Sequence, residues 1–415
     1  MEEILSRQAG PGGETPIITV APQQEVPVSA RMRSSFNRVG FGTLTAFQVG
    51  NAVGAIGLYV GMLVAMFVTG TIDLLVSGDG SLGLFGDGME AFLRVLAEKH
   101  VVLYGLLAYL ILYAAGLLGG YLVQRRMLRR NACGRPEKRK LSAGHFLLTL
   151  LAAFGLWGVG ALVGNIGELF GYASEGMETY YGIFGTDILP YLLYAVLVAP
   201  VLEELIFRKA ILDATHGYGQ VTAMLASALL FGLAHRNSGQ FFLAFLLGLL
   251  FAAVYMQTGN ILYTMVMHAA INLLASLPGI LAVLDITEIG WLRVDPLFLI
   301  IYHVLIVAGL VVLAVCGKRI FGGLTTTAMA APQADAWHTA FRPAGMRLFV
   351  IFNLVQLVAM DLLSFASALV TTWEAGTLIM LLPTVLAVLT CLLVPRCVLK
   401  KRKAAAVADA PADGQ

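Results

Sequence analysis

LEELIFRK, residues 202–209, places two carboxylates and an arginine inside a stretch that is largely apolar from Ile188 to Leu212. A charge at the centre of a bilayer costs roughly 2.5–3.5 kcal/mol on insertion scales. Three of them in one helix persist only if they pair, face a water-filled cavity or do chemistry. Lys209 is a fourth charge, near enough to the helix end to snorkel. Glu204 and Arg208 are four apart, so they share a helical face and can form an ion pair. Glu203 lies about 100° round the helix from Glu204 and is left free to work.

The composition around this stretch agrees with a membrane location. The chain has 415 residues, 58% hydrophobic and 13% charged, with a mean hydropathy of +0.82. That excludes an ordinary soluble domain and predicts an all-α, polytopic membrane bundle, because lipid-exposed backbone must satisfy its own hydrogen bonds. Nothing calls for nucleic acid. Cys133, Cys316, Cys391 and Cys397 have neither CxxC spacing nor a nearby His, so they read as free thiols. Residues 1–30 are polar, with no apolar core of a cleavable signal peptide.

About ten spans are expected: an eight-helix core and two C-terminal helices. Residues 1–38 read as a disordered cytoplasmic tail and 39–184 as helices one to three. A catalytic core follows at 185–285, an eighth helix within 286–319 and a linker at 320–346. The last two helices lie within 347–395, before a basic tail at 396–415. The run QRRMLRRNACGRPEKRK, residues 124–140, holds eight Lys or Arg against one Glu. It falls on the same side as Arg31 to Arg38, Lys318, Arg319, Arg342, Arg347 and the tail. The positive-inside rule then puts both termini in the cytoplasm of a multi-pass plasma-membrane protein.

Two more polar intrusions occur in neighbouring spans. FGLAH sets Phe231 four residues before His235, and HAAIN sets His268 four before Asn272. Each pair stacks on one helical face. Measured from the turn at Gly217, Glu203 and His235 lie roughly 21 and 27 Å along antiparallel helices, so they can meet at similar depth. A carboxylate beside an imidazole can deprotonate a water. A second His and an Asn can donate to a developing oxyanion. Equally, Glu203, His235 and His268 form a set that can hold a catalytic divalent metal such as zinc. Elsewhere, Pro200 can free a backbone carbonyl near the site. Asp361 calls for a structural hydrogen bond, and Gly248 and Gly259 for close helix packing.

EELIFR, FGLAH and HAAIN together resemble the EExxxR, FxxxH and HxxxN motifs of the CAAX-protease and bacteriocin-processing (CPBP, or Abi) family of intramembrane endopeptidases. The resemblance covers roughly residues 185–285. It implies a membrane-embedded cavity in which Glu203 and His235 activate water while His268 and Asn272 stabilise the oxyanion. Glu204, Arg208 and Phe231 would support the site. The family's chemistry has been described as metal-dependent and as metal-free, and Glu203, His235 and His268 serve either scheme. The expected substrate is a membrane-associated peptide or a lipidated, CAAX-like C-terminal segment. Two other readings are a non-catalytic scaffold or bacteriocin-immunity protein, and a transporter, which would predict an inverted repeat. No such repeat is visible.

Overall fold

A computed structural model describes residues 27–77, 99–129, 133–165, 194–283, 286, 288–289, 292–324 and 333–369. These form ten helices and one short hairpin. The helices are α1 (Val28–Ser77), α2 (Lys99–Leu128), α3 (Ala143–Asn165), α4 (194–215), α5 (Gln220–Ala234), α6 (Ser238–Thr258), α7 (Ile261–Val283), α8 (Val294–Ile320), α9 (Gln333–Phe341) and α10 (Ala344–Leu369). The hairpin pairs Glu288 with Arg293 and Ile289 with Leu292. Among the described residues, five helical stretches are long and apolar enough to cross a membrane: Val28–Gly61, Ala143–Gly164, Ser238–Thr258, Pro296–Ile320 and Ala344–Leu362. The protein is a polytopic helical bundle, as its composition requires. Residues 166–193, the expected tenth span and the basic tail lie outside the described residues. So do Cys391 and Cys397; Cys133 and Cys316 are free thiols.

The helices divide into two packed groups. Buried side chains of α1, α2, α4, α5, α9 and α10 make one apolar cluster. Those of α3, α6, α7 and α8 make another. The second is tight because Gly155 and Gly309 let α3 and α8 touch backbone to backbone, where any Cβ would collide. The opposite face of α8 leaves Leu299, Ile300, Val304, Val307, Val311 and Val315 exposed. In a bilayer that is a lipid-facing surface.

The structure differs from the sequence-based expectation in two places. α1 begins at Val28, inside the stretch expected to be a disordered tail. Met32, Phe36 and Val39 repeat at helical spacing and are buried, a stripe too sparse to raise the local hydropathy. The expected linker at 320–346 holds α9, whose Ala336 and Ala340 are fully buried in the same cluster as Met32 and Phe36. α10 is therefore held against α1. The backbone N–H of Gly345 donates to Asn37 Oδ1 at 2.8 Å.

α4 carries LEELIFRK and is not a uniform α-helix. Tyr194–Val198 is π-helical, Ala199–Glu203 α-helical, Glu204–Ala210 π-helical and Ile211–Thr215 α-helical. A π-turn bonds five residues on and leaves backbone groups to be satisfied from outside. Gln124 of α2 donates to the Ile206 carbonyl at 3.3 Å. Ser227 of α5 donates to the Phe207 carbonyl at 2.8 Å. Pro200 has no N–H, so the carbonyl five residues before it, that of Ala195, lacks its π-helical donor. Asn272 Nδ2 takes that carbonyl at 2.8 Å.

Candidate active site

The residues singled out in sequence come together where the two packed groups meet. Arg208 and Glu204 are both fully buried, with Nη1 3.1 Å from Oε1. The guanidinium carbon of Arg208 stands 3.9 Å above the centre of the Phe231 ring and 5.4 Å from that of Phe251. Cation–π contact of this kind is worth about 2 kcal/mol when desolvated. Gly248 makes room for it: a Cβ there would come within 3.4 Å of Arg208 Nη2 and 3.0 Å of the Ala228 backbone.

Glu204 does more than pair with its neighbour in sequence. Its Oε1 accepts from His268 Nδ1 at 3.1 Å, across 64 positions of chain. The opposite ring nitrogen, Nε2, points to Glu203 Oε2 at 3.7 Å. A chain of alternating charge and imidazole thus runs Arg208–Glu204–His268–Glu203. Glu203 is the partly exposed end, at 17% of its side chain, and Arg208 the sealed end. The Glu204–His268 link has no signature in sequence.

His235 closes α5. Its Nδ1 lies 2.9 Å from the Phe231 carbonyl. Since a carbonyl only accepts, Nδ1 carries the hydrogen and Nε2 is left with its lone pair. The Phe231 ring meets His235 edge-on at 4.9 Å and His268 at 5.8 Å, so Phe231 touches both histidines and the arginine. Phe251, which has no place in the motifs, packs on His268 at 5.5 Å. Asn272, one turn beyond His268, spends one amide hydrogen on Ala195 and retains the other.

The turn after His235 is held from two directions. Arg236 adopts a left-handed φ of 58° with its guanidinium carbon 5.6 Å from the Phe47 ring of α1. Asn237 caps α6 by accepting from the Gln240 N–H at 2.8 Å. The Ser238 N–H donates to Asp361 Oδ1 of α10 at 3.1 Å. Asp361 accordingly makes the structural hydrogen bond expected of it, and it makes it three residues from His235.

The arrangement holds no preformed metal cage. Among the described residues no three His, Cys, Asp or Glu side chains are disposed to hold one ion.

A charged, buried site among apolar helices defines the class, a polytopic membrane protein with polar groups in its interior. Residues 185–274 match the family model for type II CAAX prenyl endopeptidase Rce1-like proteins. That stretch, which includes Glu203, His235, His268 and Asn272, is similar to the Rce1-like family. The match spans well under half of the chain. Neither the curated proteins nor the solved structures contain a significant match.

Proposed function

We propose that the protein is an intramembrane endopeptidase that hydrolyses a peptide bond in a membrane-associated peptide or a CAAX-like C-terminal segment. Support for this reading comes chiefly from one observation: the Arg208–Glu204–His268–Glu203 chain leaves Glu203 as its open end, beside a histidine whose free nitrogen is Nε2. Glu203 and His235 Nε2 hold a water and Glu203 takes its proton. The hydroxide adds to the scissile carbonyl carbon. The oxygen of the tetrahedral intermediate receives hydrogen bonds from His268 Nε2–H and the unspent Asn272 N–H. For Nε2 to donate while Nδ1–H is held by Glu204, the His268 ring carries both hydrogens in this mechanism, with a carboxylate beside each ring nitrogen. Collapse breaks the C–N bond, and the proton held by Glu203 passes to the leaving amine. The basic helix ends face the cytoplasm in this reading.

The test compares new peptide termini in membranes from cells expressing wild type or Glu203→Ala at matched levels. Termini present only with the wild type support proteolysis. Identical termini, with both proteins folded and the substrate present, move the assignment to a peptide-binding scaffold or immunity protein. The same cleavage persists in a chelator under the metal-free scheme, and its loss would reinstate a metal.

A further inference from the structure

A second polar feature lies on α4, beyond the catalytic motif. At the basic end of the bundle a cavity of about 170 Å³ opens between the last turns of α2, the segment after Cys133 and residues 209–214 of α4. Arg125, Arg129, Arg135 and Lys209 line it, with Asp213 as the one carboxylate. Asp213 is already engaged: Lys209 Nζ lies 3.3 Å from Oδ2 and the Tyr255 hydroxyl donates to Oδ1 at 2.6 Å. The three arginines form no ion pair or hydrogen bond among the described residues. Positive-inside retention explains basic residues at this end in general. It does not explain why these converge on one cavity while Arg126 and Lys138, from the same segments, stay outside it.

The convergence is built. Asp213 and Cys133 are tied backbone to backbone at 2.9 Å, and Cys133 Sγ donates to the Ala214 carbonyl at 3.3 Å. The far end of the segment is fixed by the Arg139 N–H on the Thr258 carbonyl at 2.9 Å. Arg135 is therefore carried on a strap pinned to α4 and α6. Three exposed like charges brought to one cavity are screened in part by solvent, and an anion shared between them would relieve the rest of their repulsion. Arginine forks match phosphate oxygens in geometry and charge. Basic pockets between helices, at the level of the lipid headgroups, bind anionic lipid.

We propose that this cavity binds a phosphate group, that of an anionic phospholipid headgroup or free phosphate. The site is separate from the peptidase chemistry and does not rest on it.

The experiment measures thermal unfolding of the purified chain in phosphatidylcholine nanodiscs under three conditions: unmodified, with phosphatidylglycerol added, and with inorganic phosphate added. A stabilising shift with phosphatidylglycerol alone identifies the headgroup as the source. A shift with phosphate alone identifies the free ion. In either case Arg129→Gln with Arg135→Gln weakens the apparent affinity roughly tenfold, and the charge-matched pair Arg126→Gln with Lys138→Gln leaves it unchanged. These side chains are exposed, and unliganded melting at the wild-type temperature checks that folding is intact. The proposal is overturned if neither ligand shifts the wild type, or if the two double variants lose affinity equally.

Discussion

The buried polar groups of the site and those of the flanking helices solve the same problem differently. Around α4 the buried groups are charged and arranged in series, from Arg208 through Glu204 and His268 to Glu203. In α1, α2 and α10 they are neutral amides and hydroxyls. Gln124 bonds Thr43 and the Ile206 carbonyl, Asn353 bonds the Phe349 carbonyl, and Gln48 and Gln356 are buried with them. An amide costs far less to desolvate than an ion and suffices to satisfy a stray carbonyl. Charge is concentrated at the candidate site, and the fully buried groups of the flanking helices hold the backbone in shape without it.

The sharpest way to break that contrast is Glu203→Gln. It should lower hydrolysis by about 10²–10⁴-fold while the detergent melting curve stays where it was. Retained turnover would remove Glu203 as the base. Next comes Glu204→Gln, which leaves the Arg208 guanidinium buried without its counter-charge. We expect a loss of about 3–5 kcal/mol in stability, with activity falling as His268 loses its acceptor. Coincident melting of variant and wild type would strip the ion pair of its structural role.

Asp361→Ala withdraws the acceptor from the Ser238 N–H and should cost about 1 kcal/mol. Turnover should drop several-fold as the His235 turn loosens. Asp361→Asn, which keeps an oxygen in place, should restore most of it; failure of that rescue at full stability would sever α10 from the site. The smallest effect belongs to Gln48→Met. Both side-chain polar atoms of Gln48 are buried without a hydrogen-bond partner among the described residues, so an apolar replacement of similar shape should be neutral or slightly stabilising. A marked loss of stability on chemical denaturation would show that this amide is doing what the charged groups do.

Much of the site could be read from single helices. EExxxR spacing gave the Glu204–Arg208 pair, and Phe231 four residues before His235 gave the ring that touches both histidines. A freed carbonyl followed from Pro200 alone. What stayed hidden depends on which faces of distant helices meet. Glu204 on His268 and Phe251 on His268 join residues with no periodic relation. Asp361 on Ser238 spans 123 positions. The early start of α1 was hidden for another reason: Met32, Phe36 and Val39 form a helical stripe among arginines and serines, so an average over the window dilutes it. α9 escaped in the same way, since only Ala336 and Ala340 mark its buried face.

The widened turns of Glu204–Ala210 also decide where the helix can be gripped by its neighbours. Such a stretch holds one residue more than a regular helix of the same reach. Deleting Leu205 would let the ladder close at its ordinary spacing and leave all that follows in nearly its present heading, so Asp213 would stay beside Tyr255. The carbonyls of Ile206 and Phe207 would be drawn back into the helix, away from Gln124 and Ser227. A single inserted residue thus offers the backbone to the neighbouring helices without disturbing the rim.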